Sequence, residues 1–157
     1  MPAFMRSALC LLVLLAACGN EIGDSCIVSS DCEQNGTRTC DTSQKGGYCT
    51  IQGCDYDTCP GSSACIRFFT GGFDNKECAD QSGCTLDELC SLKGLCVPRS
   101  SEVRFCMATC GGDGDCRDGY ECRTLQLAKD HGGEPVLAPG VPIDTHAPKF
   151  CATKPAT

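Results

Sequence analysis

The side chains in this sequence with the most versatile chemistry are its thiols, 18 cysteines among 157 residues. Cysteine sulfur can ligate a metal, attack an electrophile or pair into a disulfide, and spacing discriminates among these uses. Beyond Cys18 no two cysteines are separated by two residues, so the usual zinc-ribbon, thioredoxin-type and haem-attachment patterns are absent. The histidines are His131 and His146, both in a stretch bearing Pro and Gly. Asp130-His131-Gly132-Gly133 invites a general-base reading. However, Gly61-Ser62-Ser63-Ala64 lacks the second glycine of a nucleophile elbow, and both histidines read as solvated groups on a flexible loop. Gly112-Asp113-Gly114-Asp115-Cys116-Arg117-Asp118-Gly119 invites a calcium reading, because clustered carboxylates suit a hard cation. Arg117 stands where the third ligand belongs and no Glu closes the loop, so the preferred reading is an Asp- and Gly-rich turn. Asp55 and Asp57, between Cys54 and Cys59, are read the same way. The sequence therefore predicts a chain that is not an enzyme, with no cofactor and no metal site.

Pairing is what remains for the thiols. Cys10 falls in an apolar leader and Cys18 at its end, leaving sixteen: Cys26, Cys32, Cys40, Cys49, Cys54, Cys59, Cys65, Cys78, Cys84, Cys90, Cys96, Cys106, Cys110, Cys116, Cys122 and Cys151. That is an even number, which allows eight bridges with no thiol left over. Cysteine at this density in a short chain marks a disulfide scaffold from an oxidising compartment. From Cys18 onward, Leu, Ile, Val and Phe total 22 of 140 residues and Trp is absent, a meagre supply for a conventional core. Bridges contributing about 2–4 kcal/mol each are expected to make up the deficit.

The leader itself carries one charge, Arg6, followed by an apolar run over Ala8–Ala17. Ten helical residues cover about 15 Å, roughly half a hydrocarbon core, so this is a signal-peptide h-region and not a membrane span. It ends in Leu15-Ala16-Ala17-Cys18, which closely resembles the lipobox of bacterial lipoproteins. The resemblance implies that residues 1–17 are a signal peptide removed before Cys18, and that the Cys18 thiol receives lipid. It implies further that residues 18–25 form a lipidated tether and that the mature protein is held in the cell envelope. Gly19, rather than Asp, after the lipid cysteine points to the outer membrane, at its periplasmic face or the cell surface. Two or more acyl chains anchor stably where one is marginal.

Within the mature chain the cysteine gaps run in two parallel series, from Cys26 to Cys78 and from Cys84 to Cys151. Both close alike, in Lys76-Glu77-Cys78-Ala79 and Lys149-Phe150-Cys151-Ala152. The preferred reading is two tandem eight-cysteine units, residues 26–78 and 79–151, with four bridges each. The second carries a Pro/Gly-rich exposed insertion at 130–149, and residues 152–157 form a tail. A competing register has three four-cysteine modules starting at Cys26, Cys78 and Cys110, with Cys54, Cys59, Cys65 and Cys106 left between them. Connectivity follows from neither. Asp115-Cys116 and Gly119-Tyr120-Glu121-Cys122 resemble cysteine-rich repeats of the Dickkopf amino-terminal type, which implies a binding or scaffolding module. The expected fold is small and disulfide-rich, with short β-hairpins, loops and little regular structure. Strands are expected at 48–51, 94–98, 103–107, 120–127 and 149–152. Thr85-Leu86-Asp87-Glu88 has capping-box form, which predicts a short helix over 85–92. Phe68, Phe69 and Phe73 are expected to fill the small core.

Removing Arg6 takes the formal net charge from −7 to −8. Such acidity excludes nucleic-acid binding by counterion release. The functional expectation is a lipid-anchored binding or structural module, joined to the membrane through Cys18 and taking a protein or polysaccharide partner. The alternative is a surface-presented protease inhibitor.

Overall fold

The structure, a computed structural model, describes residues 19–71 and 76–156. The leader, Cys18 and Phe73 lie outside the described residues. The chain forms a small disulfide-rich fold of short antiparallel strand pairs with few helices, and the sixteen cysteines among the described residues stand in two tandem sets of eight. No helix among the described residues is long and apolar enough to cross a membrane.

One local plan recurs four times. Two cysteines on a tight turn bridge two cysteines that face each other across an antiparallel strand pair, first to third and second to fourth. In the first module the turn is α1 (Ser29–Cys32) and the pair is β1 (Thr39–Cys40) with β2 (Cys49–Thr50), giving Cys26–Cys40 and Cys32–Cys49. In the second, Cys54–Cys65 and Cys59–Cys106 bridge onto β3 (Ser63–Phe69) and β6 (Glu102–Ala108). In the third, Cys78–Cys90 and Cys84–Cys96 join the Gln81–Gly83 turn to β4 (Glu88–Cys90) and β5 (Cys96–Pro98). In the fourth, Cys110–Cys122 and Cys116–Cys151 join the Asp113–Asp115 turn to β7 (Tyr120–Arg123) and β9 (Phe150–Thr153). The facing pairs are Cys40↔Cys49, Cys65↔Cys106, Cys90↔Cys96 and Cys122↔Cys151. A one-residue slip would turn each cysteine to the opposite face, so bridges and strand register fix each other.

This pairing corrects the expectation of four bridges within each set. Cys59–Cys106 and Cys78–Cys90 cross the boundary between residues 26–78 and 79–151. The competing register describes three of the four modules, and its leftover cysteines compose the missing one. They escape notice because the third module is inserted between β3 and β6, separating Cys65 from Cys106.

The central sheet has the order β6-β3-β8, β8 being Glu134–Pro135. Strands β3 and β6 pair over seven residues, from Ser63↔Ala108 to Phe69↔Glu102. Pro135 pairs with Ile66 on the outer strand, where a missing N–H is tolerated. Glu134 and Pro135 are buried, so the 130–149 segment is not simply an exposed insertion: its first part completes the sheet. The core packs Tyr48, Ile66, Met107, Tyr120 and Phe150 together, with Phe68 and Phe105 at its edge.

Two local expectations are overturned. Residues 85–92 are not a helix. Glu88 does accept from the Thr85 N–H at 2.9 Å, as a capping box requires. Yet the chain then extends into β4, because Cys90 must face Cys96 and bridge Cys78. Gln81 lines that strand, donating to the Glu88 carbonyl and accepting from the Cys90 N–H. The strand expected over 120–127 ends at Arg123. There Thr124 accepts from the Leu127 N–H and starts α2 (Leu125–His131), which Gly132 stops at φ +92°.

Candidate functional site

Along β6 the residues Val103, Phe105 and Met107 share one face, and Phe68 of β3 lies opposite Val103. The loop from β1 to β2 stands beside this face. Asp41 shapes that loop, its carboxylate accepting from the Ser43 N–H at 3.0 Å and the Ser43 hydroxyl at 2.6 Å. Asp41 and Tyr48 also exchange backbone bonds across the loop. Between loop and sheet runs a cleft of about 380 Å³, walled by Phe68, Val103, Phe105 and Met107, floored by Tyr48 and rimmed by Asp41, Ser43, Gln44 and Thr70. Apolar walls with a few polar groups at the mouth are the usual make-up of a binding cleft.

The floor is held from below. Tyr48 is buried, stacks on Tyr120 at 5.6 Å between centroids, accepts from the Ala108 N–H at 2.9 Å and donates to the Cys151 carbonyl at 3.4 Å. Burial pushes the Tyr48 phenol up to about 12, so it stays neutral at physiological pH. The Arg117 guanidinium lies 4.2 Å from the Tyr120 ring centroid and donates to the Gly47 carbonyl and the Tyr120 hydroxyl. The Tyr120 hydroxyl donates in turn to the Lys45 carbonyl at 3.0 Å. Fourth and first modules are thus joined under the cleft by a cation–aromatic stack instead of a bridge. Sequence reasoning missed this site. The alternation at 103–107 was legible, but the Tyr48–Tyr120 pairing spans modules and has no local signal.

The structure pairs all sixteen cysteines named as bridge-formers. In the first three modules the first, second and fourth sulfurs lie within 4.8 Å of one another, for example Cys26, Cys32 and Cys49, and in the fourth module the first three do, Cys110, Cys116 and Cys122. These triads share metal-like geometry, but their sulfurs are joined in disulfides and offer no thiolate.

The acidic turns spend their carboxylates locally. Asp115 accepts from Gly111 and Gly112 N–H groups at 2.7 and 3.2 Å, and Asp113 from the Cys122 N–H at 2.8 Å. Asp31 does the same in the first module, accepting from Ile27 and Val28 N–H groups, which hold its carboxyl below the ordinary value. Asp55 accepts from Tyr56 N–H and from Arg104. Asp57 takes φ +57° in the same turn.

His131 is not on a flexible loop. It closes α2, with Nδ1 2.7 Å from Glu121, and Glu121 also accepts from Arg123 at 3.0 Å. Arg123 is buried and donates further to the carbonyls of His131, Gly132 and Thr153. His146 is exposed and faces Asp144. No hydroxyl or thiol bonds to either imidazole among the described residues.

No family model, curated protein or solved structure matches this chain.

Proposed function

We propose that this chain is a lipid-anchored cell-envelope protein that serves as a non-enzymatic binding or structural module. A protein or polysaccharide partner seats its apolar part in the cleft between the 41–44 loop and β6. The lipobox-like Leu15-Ala16-Ala17-Cys18 supports the anchor, and the Dickkopf-type resemblance of the cysteine repeats supports a binding role. The observation that carries the reading is the preorganised cleft. Its floor is stacked and its walls stand on bridged strand pairs, so little conformational entropy is lost when a ligand docks. Incorporation of labelled palmitate is expected for the wild type and lost for Cys18→Ala. Displayed peptide libraries and envelope glycans are expected to yield binders that Ser43→Trp, which fills the cleft mouth, weakens at least tenfold, about 1.4 kcal/mol. Binders indifferent to that variant would refute the cleft, and palmitate label on Cys18→Ala would refute the anchor.

One observation favours the second reading, a surface-presented protease inhibitor. Leu86 is 93% exposed on the Cys84–Cys90 loop, whose cysteines bridge to Cys96 and Cys78. Arg99 clamps that loop, donating to the carbonyls of Leu86 at 2.9 Å and Asp87 at 2.8 Å. A rigid, exposed Leu is what an apolar protease subsite accepts. The clamp also occupies the Leu86 carbonyl that an oxyanion site would take, which keeps this reading second. A protease panel assayed with and without the protein separates the two.

A further inference from the structure

The tether of the proposed lipid anchor is not a free linker. Gly19 lies so close to the end of α1 that a Cβ there would meet the Cys32 carbonyl at 2.6 Å. The Asn20 N–H donates to the Asp31 carbonyl at 3.2 Å, and the Asn20 side chain to the Ser25 carbonyl at 2.9 Å. Gly23 donates to Cys49, and Cys49 to Asp24, each at 2.9 Å. Gly19, which follows the proposed lipid-bearing cysteine in the sequence, therefore lies against the first module's turn.

On that turn stand Ile27, 84% exposed, and Val28, 52% exposed. They are fixed there: Asp31 accepts from both of their N–H groups, at 2.8 and 3.1 Å, which turns its carboxylate toward the backbone. The four-residue helix between them and Cys32 spans only about 6 Å. The corresponding positions after the first cysteine of the other modules hold Asp55-Tyr56, Ala79-Asp80 and Gly111-Gly112. Among the four described module turns, an exposed aliphatic pair therefore occurs only on the first, which carries the tether.

From this placement we infer that Ile27 and Val28 insert into the lipid surface to which Cys18 is anchored, so that the first module lies on the bilayer in a fixed orientation. The inference rests on the lipid-anchor reading above. The surface it fits is zwitterionic, since Glu21, Asp24 and Asp31 flank the pair and would be repelled by anionic headgroups. Burying the two side chains adds apolar contact to that of the acyl chains.

The chain contains no Trp, so Ile27→Trp supplies a single indole reporter at an exposed position that tolerates it. The lipidated full-length variant is placed on phosphatidylcholine vesicles, with or without chain-brominated phosphatidylcholine. It is compared with the same variant produced without residues 1–18 and so free in solution, and Val28→Trp serves as a second reporter. The expected result is a blue-shifted emission that brominated chains quench, in both reporters. Flotation with the vesicles while both emissions match the soluble form would overturn the contact and leave the anchor standing. Failure to float, with no lipid on Cys18, would overturn the anchor and this contact with it.

Discussion

Tyr48 shows how a single side chain ties the modules together. It stacks on Tyr120, accepts from Ala108, donates to Cys151 and floors the cleft. Its phenol is pushed up from 10.0 to about 12 by burial, so the fold favours the protonated form. The corresponding stability is fully present below pH 10 and is lost as pH rises through 12, because only the unfolded chain ionises this phenol readily between those values. A shift of this size corresponds to roughly 3 kcal/mol. In a titration followed by phenolate absorbance, Tyr48 is expected to ionise only at strongly alkaline pH, together with loss of the fold. Tyr48→Phe is expected to move the loss of stability to higher pH, as read by denaturant midpoints at alkaline pH.

At the scale of elements, the third module is inserted between β3 and β6 and is clasped by one carboxylate. Glu134 on β8 accepts from the Leu92 N–H at 2.5 Å through one oxygen and from Arg67 at 2.8 and 3.0 Å through the other. Glu134 is buried and Arg67 largely so. Glu134→Gln retains the shape but removes the charge that Arg67 pairs with, and its amide offers one oxygen to three donors. The expected cost is about 2 kcal/mol, with faster hydrogen exchange at Leu92 than at Ile66; unchanged exchange at Leu92 would show that the clasp is not what holds the module. The same scale explains what could be read from the sequence. Hairpin strands around 96–98 and 150–153 were legible because cysteines and turn residues bracket them. Strand β3 was not, since its partner β6 lies beyond an inserted module, and Arg67 on it is explained only by Glu134. Helix α2 was hidden because Leu125 and Leu127 are themselves two residues apart, as strand residues on one face would be, and only the Thr124 cap and Gly132 stop mark the helix. The cleft was half legible: Val103, Phe105 and Met107 alternate as a strand should, whereas Tyr48 and the 41–44 loop reach them only through tertiary folding.

For the whole molecule, four bridge pairs of one plan do not carry equal weight. A bridge stabilises mainly by restricting the unfolded chain, and more so as the loop it closes lengthens. Cys84–Cys96 closes a separation of 12 residues, and Cys59–Cys106 one of 47. Loop-closure entropy gives about 3 kcal/mol for the first and about 4 kcal/mol for the second, the latter an upper bound because the third module's own bridges already shorten that loop. The two also differ in kind. Cys84–Cys96 fastens the third module within itself, whereas Cys59–Cys106 fastens the 54–59 turn to the central sheet that walls the cleft. Cys84→Ser/Cys96→Ser is therefore expected to lower the thermal midpoint while leaving binding at the cleft intact. Cys59→Ser/Cys106→Ser is expected to lower it further, and to free Thr50, whose hydroxyl donates to the Cys106 carbonyl at 2.8 Å next to the cleft floor. Calorimetry and non-reducing peptide mapping of both variants check this: an equal loss of stability, or a wild-type map lacking the Cys59–Cys106 linkage, would mean that the four modules are independent beads and not one sheet with three attachments.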